Sequence, residues 1–305
     1  MRNKFSDAFY EESVSNNQLC LIVADISPAG SLAKFRERTP QRFVNVGVAE
    51  QIMIGIAAGL SMRGFQPFVY TIATFSLYRP FEFVRDDLCY QNLPVTIVGI
   101  GGGVSYSTLG ATHHAQEDIA IAMDIPNMNI LAPCDPLEVE VMTRWCAQQK
   151  IGPVYLRLGK AGEPTLTESA LDSWEFGKIR RLRPGNDHCI ITYGVITKLA
   201  VAVADQLAAR GTSCEIVTVP TLKPLDRQGL SEVLKRHSGV TVIEESAPRA
   251  LGLEVEALAF RTGYRGSLKT FALQDKFIHC YGSHDDILVA HGLSLLSILE
   301  QIQRT

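Results

Sequence analysis

Arg42-Phe43-Val44-Asn45-Val46-Gly47-Val48-Ala49-Glu50-Gln51-Ile52-Met53-Ile54-Gly55 is the stretch whose reading decides the fold. Phe43 to Val46 is a short apolar run of strand type, Gly47 can supply a tight turn, and Val48 to Met62 then reads as a helix. Ile52, Met53, Ile56, Ala57 and Leu60 make that helix apolar nearly all round, so it is expected to be buried. Glu50 falls in its first turn. An acidic residue there is ordinarily explained by the positive end of the helix dipole. The neighbours of Glu50 are too apolar to solvate a surface carboxylate, so it should find a hydrogen-bond partner or carry a raised pKa.

The chain around this stretch alternates strand and helix. Asp7 to Val14 is a short helix, Leu19 to Ala24 a buried strand, and Asp25-Ile26-Ser27-Pro28 a loop. After the Glu50 helix come a strand at Pro67 to Thr71, a helix over Ser76 to Tyr90, and a strand at Val95 to Ile100 that empties into Gly101-Gly102-Gly103. A helix over Ala115 to Met123, a strand at Met128 to Ala132, a helix over Pro136 to Gln149 and a strand at Val154 to Leu158 complete the series. Gly, Pro, Thr, Glu and Ser then break the pattern, and residues 161–178 read as a linker. A second alternating series follows: strands at Cys189 to Thr192, Cys214 to Val219, Val240 to Ile243 and around Phe271, with helices over Ile196 to Ala209, Leu251 to Phe260 and Ile287 to Ile302. The expected class is α/β, with two domains (1–160 and 179–305), each a mostly parallel sheet flanked by helices.

A length of 305 residues accommodates two cores. The formal net charge of −3 and the lack of a basic cluster interleaved with aromatics argue against nucleic acid as a partner. No apolar run reaches the ~18 residues of a membrane span, and Met1 to Asp7 lacks the apolar core of a secretory signal. The cysteines at 20, 89, 134, 146, 189, 214 and 280 are scattered, without a Cys-x-x-Cys pair. They read as free thiols in a cytoplasmic protein, with neither a disulfide framework nor a metal cluster. Gly99-Ile100-Gly101-Gly102-Gly103-Val104 is not a dinucleotide fingerprint, because the third glycine of that motif is missing. It reads as a permissive loop that lets backbone approach closely.

The wording of several segments is specific. Gly47-Val48-Ala49-Glu50-Gln51, Ala57-Ala58-Gly59-Leu60, Arg63-Gly64-Phe65 and Pro67-Phe68-Val69-Tyr70 resemble the pyrimidine-binding domain of the transketolase family. Ile191-Thr192-Tyr193-Gly194 and Thr221-Leu222-Lys223-Pro224-Leu225-Asp226 resemble its C-terminal domain. The resemblance implies thiamine diphosphate as cofactor, with Glu50 hydrogen-bonded to the aminopyrimidine as an acid–base group. It assigns Phe75 and Tyr78 to the aromatic surface under that ring, with Ile72 where a third aromatic stands in the family. Gly110-Ala111-Thr112-His113 matches the family's Gly-Pro-Thr-His, which makes His113 a substrate-facing residue able to help proton transfer. Arg157, in Tyr155-Leu156-Arg157-Leu158-Gly159, matches an arginine that contacts a substrate phosphate.

Departures from the pattern shape the expectation further. Gly101 and Leu109 stand where sugar-phosphate transketolases carry a histidine and an aspartate. The Gly-Asp-Gly motif that holds the diphosphate and Mg²⁺ is absent, so no metal ligands are expected here and a second chain should supply them. The implied assembly is an α2β2 heterotetramer in which this C-terminal subunit is inactive alone. Its substrates would be small sugars, and its reaction the transfer of a two-carbon ketol unit from a ketose to an aldehyde. The same features also fit the β subunit of a 2-oxo acid dehydrogenase E1 component, or a non-catalytic scaffold that retains the fold.

Overall fold

The computed structural model describes residues 1–27, 30–168 and 174–303. The first half contributes β1 (Leu19–Val23), β2 (Phe43–Asn45), β3 (Gln66–Ile72), β4 (Thr96–Ile100), β5 (Asn129–Leu131) and β6 (Val154–Leu158). The second half contributes β7 (Arg180–Arg183), β8 (His188–Thr192), β9 (Cys214–Thr218), β10 (Thr221–Lys223), β11 (Gly239–Ile243) and β12 (Ser267–Phe271). Among the described residues these strands form two sheets, ordered β10-β5-β6-β4-β3-β1-β2 and β12-β11-β8-β9-β7. The pairings are parallel except β10 on β5 and β7 on β9. The α/β class with two mostly parallel, helix-flanked sheets is therefore as expected.

Strands β1, β4 and β6 are buried at every position, which is why they read as unbroken apolar runs. Below the first sheet, Phe5 of the helix Arg2–Ser15 stacks on Tyr70 at 5.7 Å between ring centroids, and Phe9 meets Phe68 edge to face at 5.0 Å. Above it, Met53, Ile54 and Ala57 of the helix Glu50–Met62 pack with Val69, Leu77 and Ile97. The same cluster continues into the second half through Ile191, Val217 and Leu222. Strand β10 joins the halves by backbone hydrogen bonds, since it belongs to the second half in sequence and to the first sheet in space. Beside it the Lys223 ammonium donates to the carbonyls of Met123 and Ile125 at 2.7 and 2.6 Å, capping the end of the helix Asp118–Asp124.

Several elements differ from the sequence expectation, each for a physical reason. The first helix starts at Arg2 because Phe5 belongs to its buried stripe. Helix Ser31–Arg38 has no counterpart in the expected series because Leu32 and Phe35 are its only buried apolar residues. Pro80 breaks the expected 76–90 helix into Ala73–Leu77 and a segment from Phe81, which widens into a π-helix over Val84–Tyr90. The expected helix 287–302 is two helices, His284–Ala290 and Leu295–Gln303, separated at Gly292 with φ 81°. Pro28 of the first loop and residues 169–173 of the expected linker lie outside the described residues.

The most consequential correction concerns the helix Glu50–Met62, which is not buried all round. Val48, Ile52 and Met62 are 70%, 56% and 65% exposed. A side chain added at Gly55 or Gly59 would meet nothing within 4 Å. Ile52, Gly55, Gly59 and Met62 recur at helical spacing and line one helical face, and Val48 stands in the turn just before the helix. That face is apolar, smooth and open. The apolar content of a helix records what its faces can bury, not which faces its own chain covers.

Candidate active site

The first-sheet strands β2, β3 and β4 end on the same side, and the loops beyond them gather the candidate residues. Leaving β2, Asn45 accepts hydrogen bonds from the backbone N–H groups of Asp25 and Gly47, and Gly47 turns the chain at φ 72°. The helix then starts at Glu50, whose side chain is 4% exposed. Its expected hydrogen-bond partner is present: Arg79 Nη1 donates to Glu50 Oε1 at 2.9 Å. Arg79 arrives from the loop after the short helix that follows β3, and its guanidinium carbon lies 4.0 Å from the centre of the Phe75 ring. Phe75 in turn meets His113 edge to face, at 5.2 Å between centroids. Glu50, Arg79, Phe75 and His113 thus form one continuous line of contact.

His113 sits in a single 3-10 turn after Gly110, with Thr112 Oγ1 3.0 Å from its Nδ1. Burial and then the charge of Arg79 hold its pKa below the ordinary imidazole value. At neutral pH the ring is therefore uncharged and has one nitrogen able to accept a proton. Tyr78 and Ile72 flank the line. The Tyr78 ring packs against the upper core, and its hydroxyl donates to Glu117 Oε2 at 3.0 Å while accepting from the Glu117 N–H at 3.1 Å. Ile72 is half-buried against the lower core.

The Arg157 guanidinium is buried and paired within the protein. Its Nε donates to Asp118 Oδ2 at 2.8 Å and its Nη2 to the Glu245 carbonyl at 2.8 Å. The side chain is 3% exposed, and the Tyr155 hydroxyl shares Asp118 at 2.8 Å. The reason is its place on β6, a strand covered on both faces, so an arginine there must be paired inside the protein. Two residues beyond that strand stands Lys160, an exposed cation whose Nζ lies 5.2 Å above the Tyr106 ring. Tyr106 itself lies 6.3 Å from His113. Neither Lys160 nor Arg79 was evident in the sequence. For Arg79 a signal existed, since it follows Phe75 by four residues, the spacing at which helical neighbours meet.

The glycine run is explained by what crowds it. A side chain at Gly101 would overlap the Tyr106 ring, one at Gly102 would overlap Arg157, and one at Gly103 would overlap Glu245. At Gly101, one of the two departures from the family pattern, the Tyr106 ring occupies the space a side chain would need. Leu109, at the other departure, is 47% exposed. Val104 N–H donates to Glu245 Oε1 at 2.8 Å, and His284 Nε2 lies 2.8 Å from the same oxygen, so the loop is pinned to the second half.

Burial alone would raise Glu245, yet His284, Arg157 and the Val104 N–H together outweigh it and hold the carboxyl below its usual range. Burial alone would lower His284, yet Glu245 raises it above the ordinary imidazole value. The raised histidine stabilises the fold fully below its unfolded pKa of ~6.5, and the depressed carboxyl does so above its unfolded pKa of ~4.3. The pair is therefore strongest between those values and is lost as pH rises through the folded pKa of His284. His284→Ala should destabilise the protein by ~3 kcal/mol near pH 5.5, and by less at pH 9. Urea midpoints across this range test it; a difference that does not depend on pH would remove the ion pair from the account.

The thiols are unpaired among the described residues, and all but Cys280 are buried. Cys189, Glu215 and His237 come within metal-binding reach of one another. Arg181 and Arg236 already pair with Glu215, however, and place positive charge where a cation would sit. Among the described residues no helix is long and apolar enough to cross a membrane.

Comparison with known families places both halves of the chain. Residues 1–162 match the transketolase pyrimidine-binding domain and residues 177–293 the transketolase C-terminal domain. The chain belongs to the transketolase family. It is 33% identical to a putative transketolase C-terminal section of Methanocaldococcus jannaschii, over 99% of this chain and 95% of that one. It is 31% identical to an apulose-4-phosphate transketolase subunit of Actinobacillus succinogenes, over 98% and 96% of the two chains. A solved split-gene transketolase, described as an inactive β4 tetramer, aligns with a TM-score of 0.86 at 30% identity, over 99% of this chain and 96% of that one.

Proposed function

We propose that this chain is the pyrimidine-binding half of a thiamine diphosphate-dependent, transketolase-type transferase that works with a second, diphosphate-binding subunit. The observation that carries the reading is Glu50. It is a buried carboxylate at a helix N-terminus, paired among the described residues with a partly exposed arginine that itself lies over the Phe75 ring. The donor set fits the cofactor's pyrimidine: an acceptor carboxylate for its ring-nitrogen edge, and the Phe75 face against which it can lie. When bound, thiamine diphosphate supplies a nucleophilic carbanion that breaks a ketose C2–C3 bond and carries the two-carbon unit to an aldehyde.

The chain's own residues have distinct tasks. Glu50 would hold or release the proton at the pyrimidine nitrogen, and its burial keeps water from competing for that hydrogen bond. Neutral His113 would accept a proton from a substrate hydroxyl. Lys160 is an exposed cation near the site for an anionic substrate end, whereas Arg157 is buried and paired with Asp118. Relatives named for apulose 4-phosphate and for 6-deoxy-6-sulfo-D-fructose both carry such an end in their substrates' names. The diphosphate and Mg²⁺ would be held by the partner, since this sequence lacks the Gly-Asp-Gly motif.

The open face of Ile52, Gly55, Gly59 and Met62, with Val48 in the turn before it and directly beside Glu50, supports an interface between subunits at the site and an α2β2 assembly. The solved relative described as an inactive β4 tetramer supports inactivity of this chain alone. The free thiols are consistent with the cytoplasm. Calorimetry with thiamine diphosphate and Mg²⁺ tests the reading, on this chain alone and with a co-purifying diphosphate-domain partner. Binding is expected only in the mixture. No binding in a verified complex would refute the cofactor assignment.

A further inference from the structure

The contact that satisfies Glu50 has the shape of a bound aminopyrimidine. The Arg79 guanidinium is planar and presents an N–C–N edge. One nitrogen donates to Glu50 Oε1 at 2.9 Å, while the guanidinium carbon lies over the Phe75 ring, 4.0 Å from its centre. An aminopyrimidine bound at Glu50 would present the same planar N–C–N edge to the same carboxylate and the same face to the same ring. At 4.0 Å the guanidinium is already in contact, so both groups cannot fill the place together. The anchoring is also asymmetric. Glu50 is 4% exposed and held within the helix, whereas the Arg79 side chain is 44% exposed and has solvent to swing into.

We propose that Arg79 is an internal stand-in for the cofactor's aminopyrimidine: it occupies the place between Glu50 and Phe75 in the free chain and is displaced when the cofactor binds. The proposal rests on the reading of Glu50 and Phe75 as the pyrimidine site. The physical need is plain, because a buried carboxylate left without a partner destabilises a fold, and this chain must persist before its cofactor and partner arrive. The arrangement has two consequences. Cofactor binding competes with Arg79, so the apparent affinity is lowered by the fraction of chains in which the place is closed. Departure of Arg79 also removes a positive charge from beside His113, which then becomes a better proton acceptor when the cofactor is in place.

The test compares wild type, Arg79→Met and Arg79→Lys, each assembled with the diphosphate-domain partner. Thiamine diphosphate affinity is read by calorimetry with Mg²⁺, and thermal stability is read on the uncomplexed chain. If about a tenth of wild-type chains have the place open, Arg79→Met binds about tenfold more tightly. It should also melt at lower temperature as a free chain. Arg79→Lys, which keeps the charge but not the planar edge, should fall between the two. A merely structural arginine would give weaker binding on removal, not tighter. Unchanged or weaker binding in Arg79→Met, with wild-type binding lost in Glu50→Gln, overturns the proposal and leaves the pyrimidine site standing. Absence of binding in the assembled wild type overturns both.

Discussion

Glu50→Gln is expected to lower the turnover of the assembled enzyme about 10²- to 10⁴-fold, the usual range for loss of a positioned acid–base group. Glutamine has the same shape, and its carbonyl oxygen can still accept from Arg79 Nη1, so the loop and helix should keep their places. What is lost is the ability to exchange a proton at that position. Steady-state kinetics on the reconstituted complex, beside circular dichroism of the free chain, separates chemistry from folding. A turnover within about twofold of wild type, with cofactor bound, would return the chain to the scaffold reading.

Arg157→Met should cost about 3–5 kcal/mol, because it leaves the Asp118 carboxylate inside the protein with no cation, held by the Tyr155 hydroxyl and the Ile119 N–H alone among the described residues. Against a total stability of roughly 5–15 kcal/mol, that shift should be plain in a urea unfolding midpoint. It should be largest where the chain's two halves meet, because Arg157 also donates to the Glu245 carbonyl and lies under Gly102. Asp118→Asn combined with Arg157→Met should recover part of the loss, since no buried charge then stands alone. The competing expectation is a normal midpoint with a raised KM for phosphorylated sugars. That result would restore Arg157 as a substrate contact and take the role from Lys160.

These two residues show how far a sequence can be read. Glu50 and Arg157 both stand in wording that matches the family, and each is charged and buried. For Glu50 the turn, the helix start and the apolar neighbours all lie within a few positions and predict a buried carboxylate that needs a partner, while its role comes from the family wording. For Arg157 the neighbours on β6 are just as apolar, but nothing near it in the sequence reveals Asp118 or the Glu245 carbonyl. The expected helix 287–302 failed for a related reason, since its apolar spacing continues across Gly292 while the backbone there turns to positive φ.

The sequence by itself determined the α/β alternation and the strand–turn–helix that delivers Glu50. Those features follow from periodicities of two and 3.6 residues and from turn chemistry, which act over a dozen residues or fewer. Only the tertiary structure decided that Arg79 pairs with Glu50 from 29 residues away, and that Arg157 reaches a carbonyl 88 residues away. It also decided that Tyr106 fills the space at Gly101, that β10 crosses into the first sheet, and that one face of the Glu50 helix stays open. Each depends on which distant surface arrives to neutralise a charge or cover an apolar face, and local pattern carries no record of that.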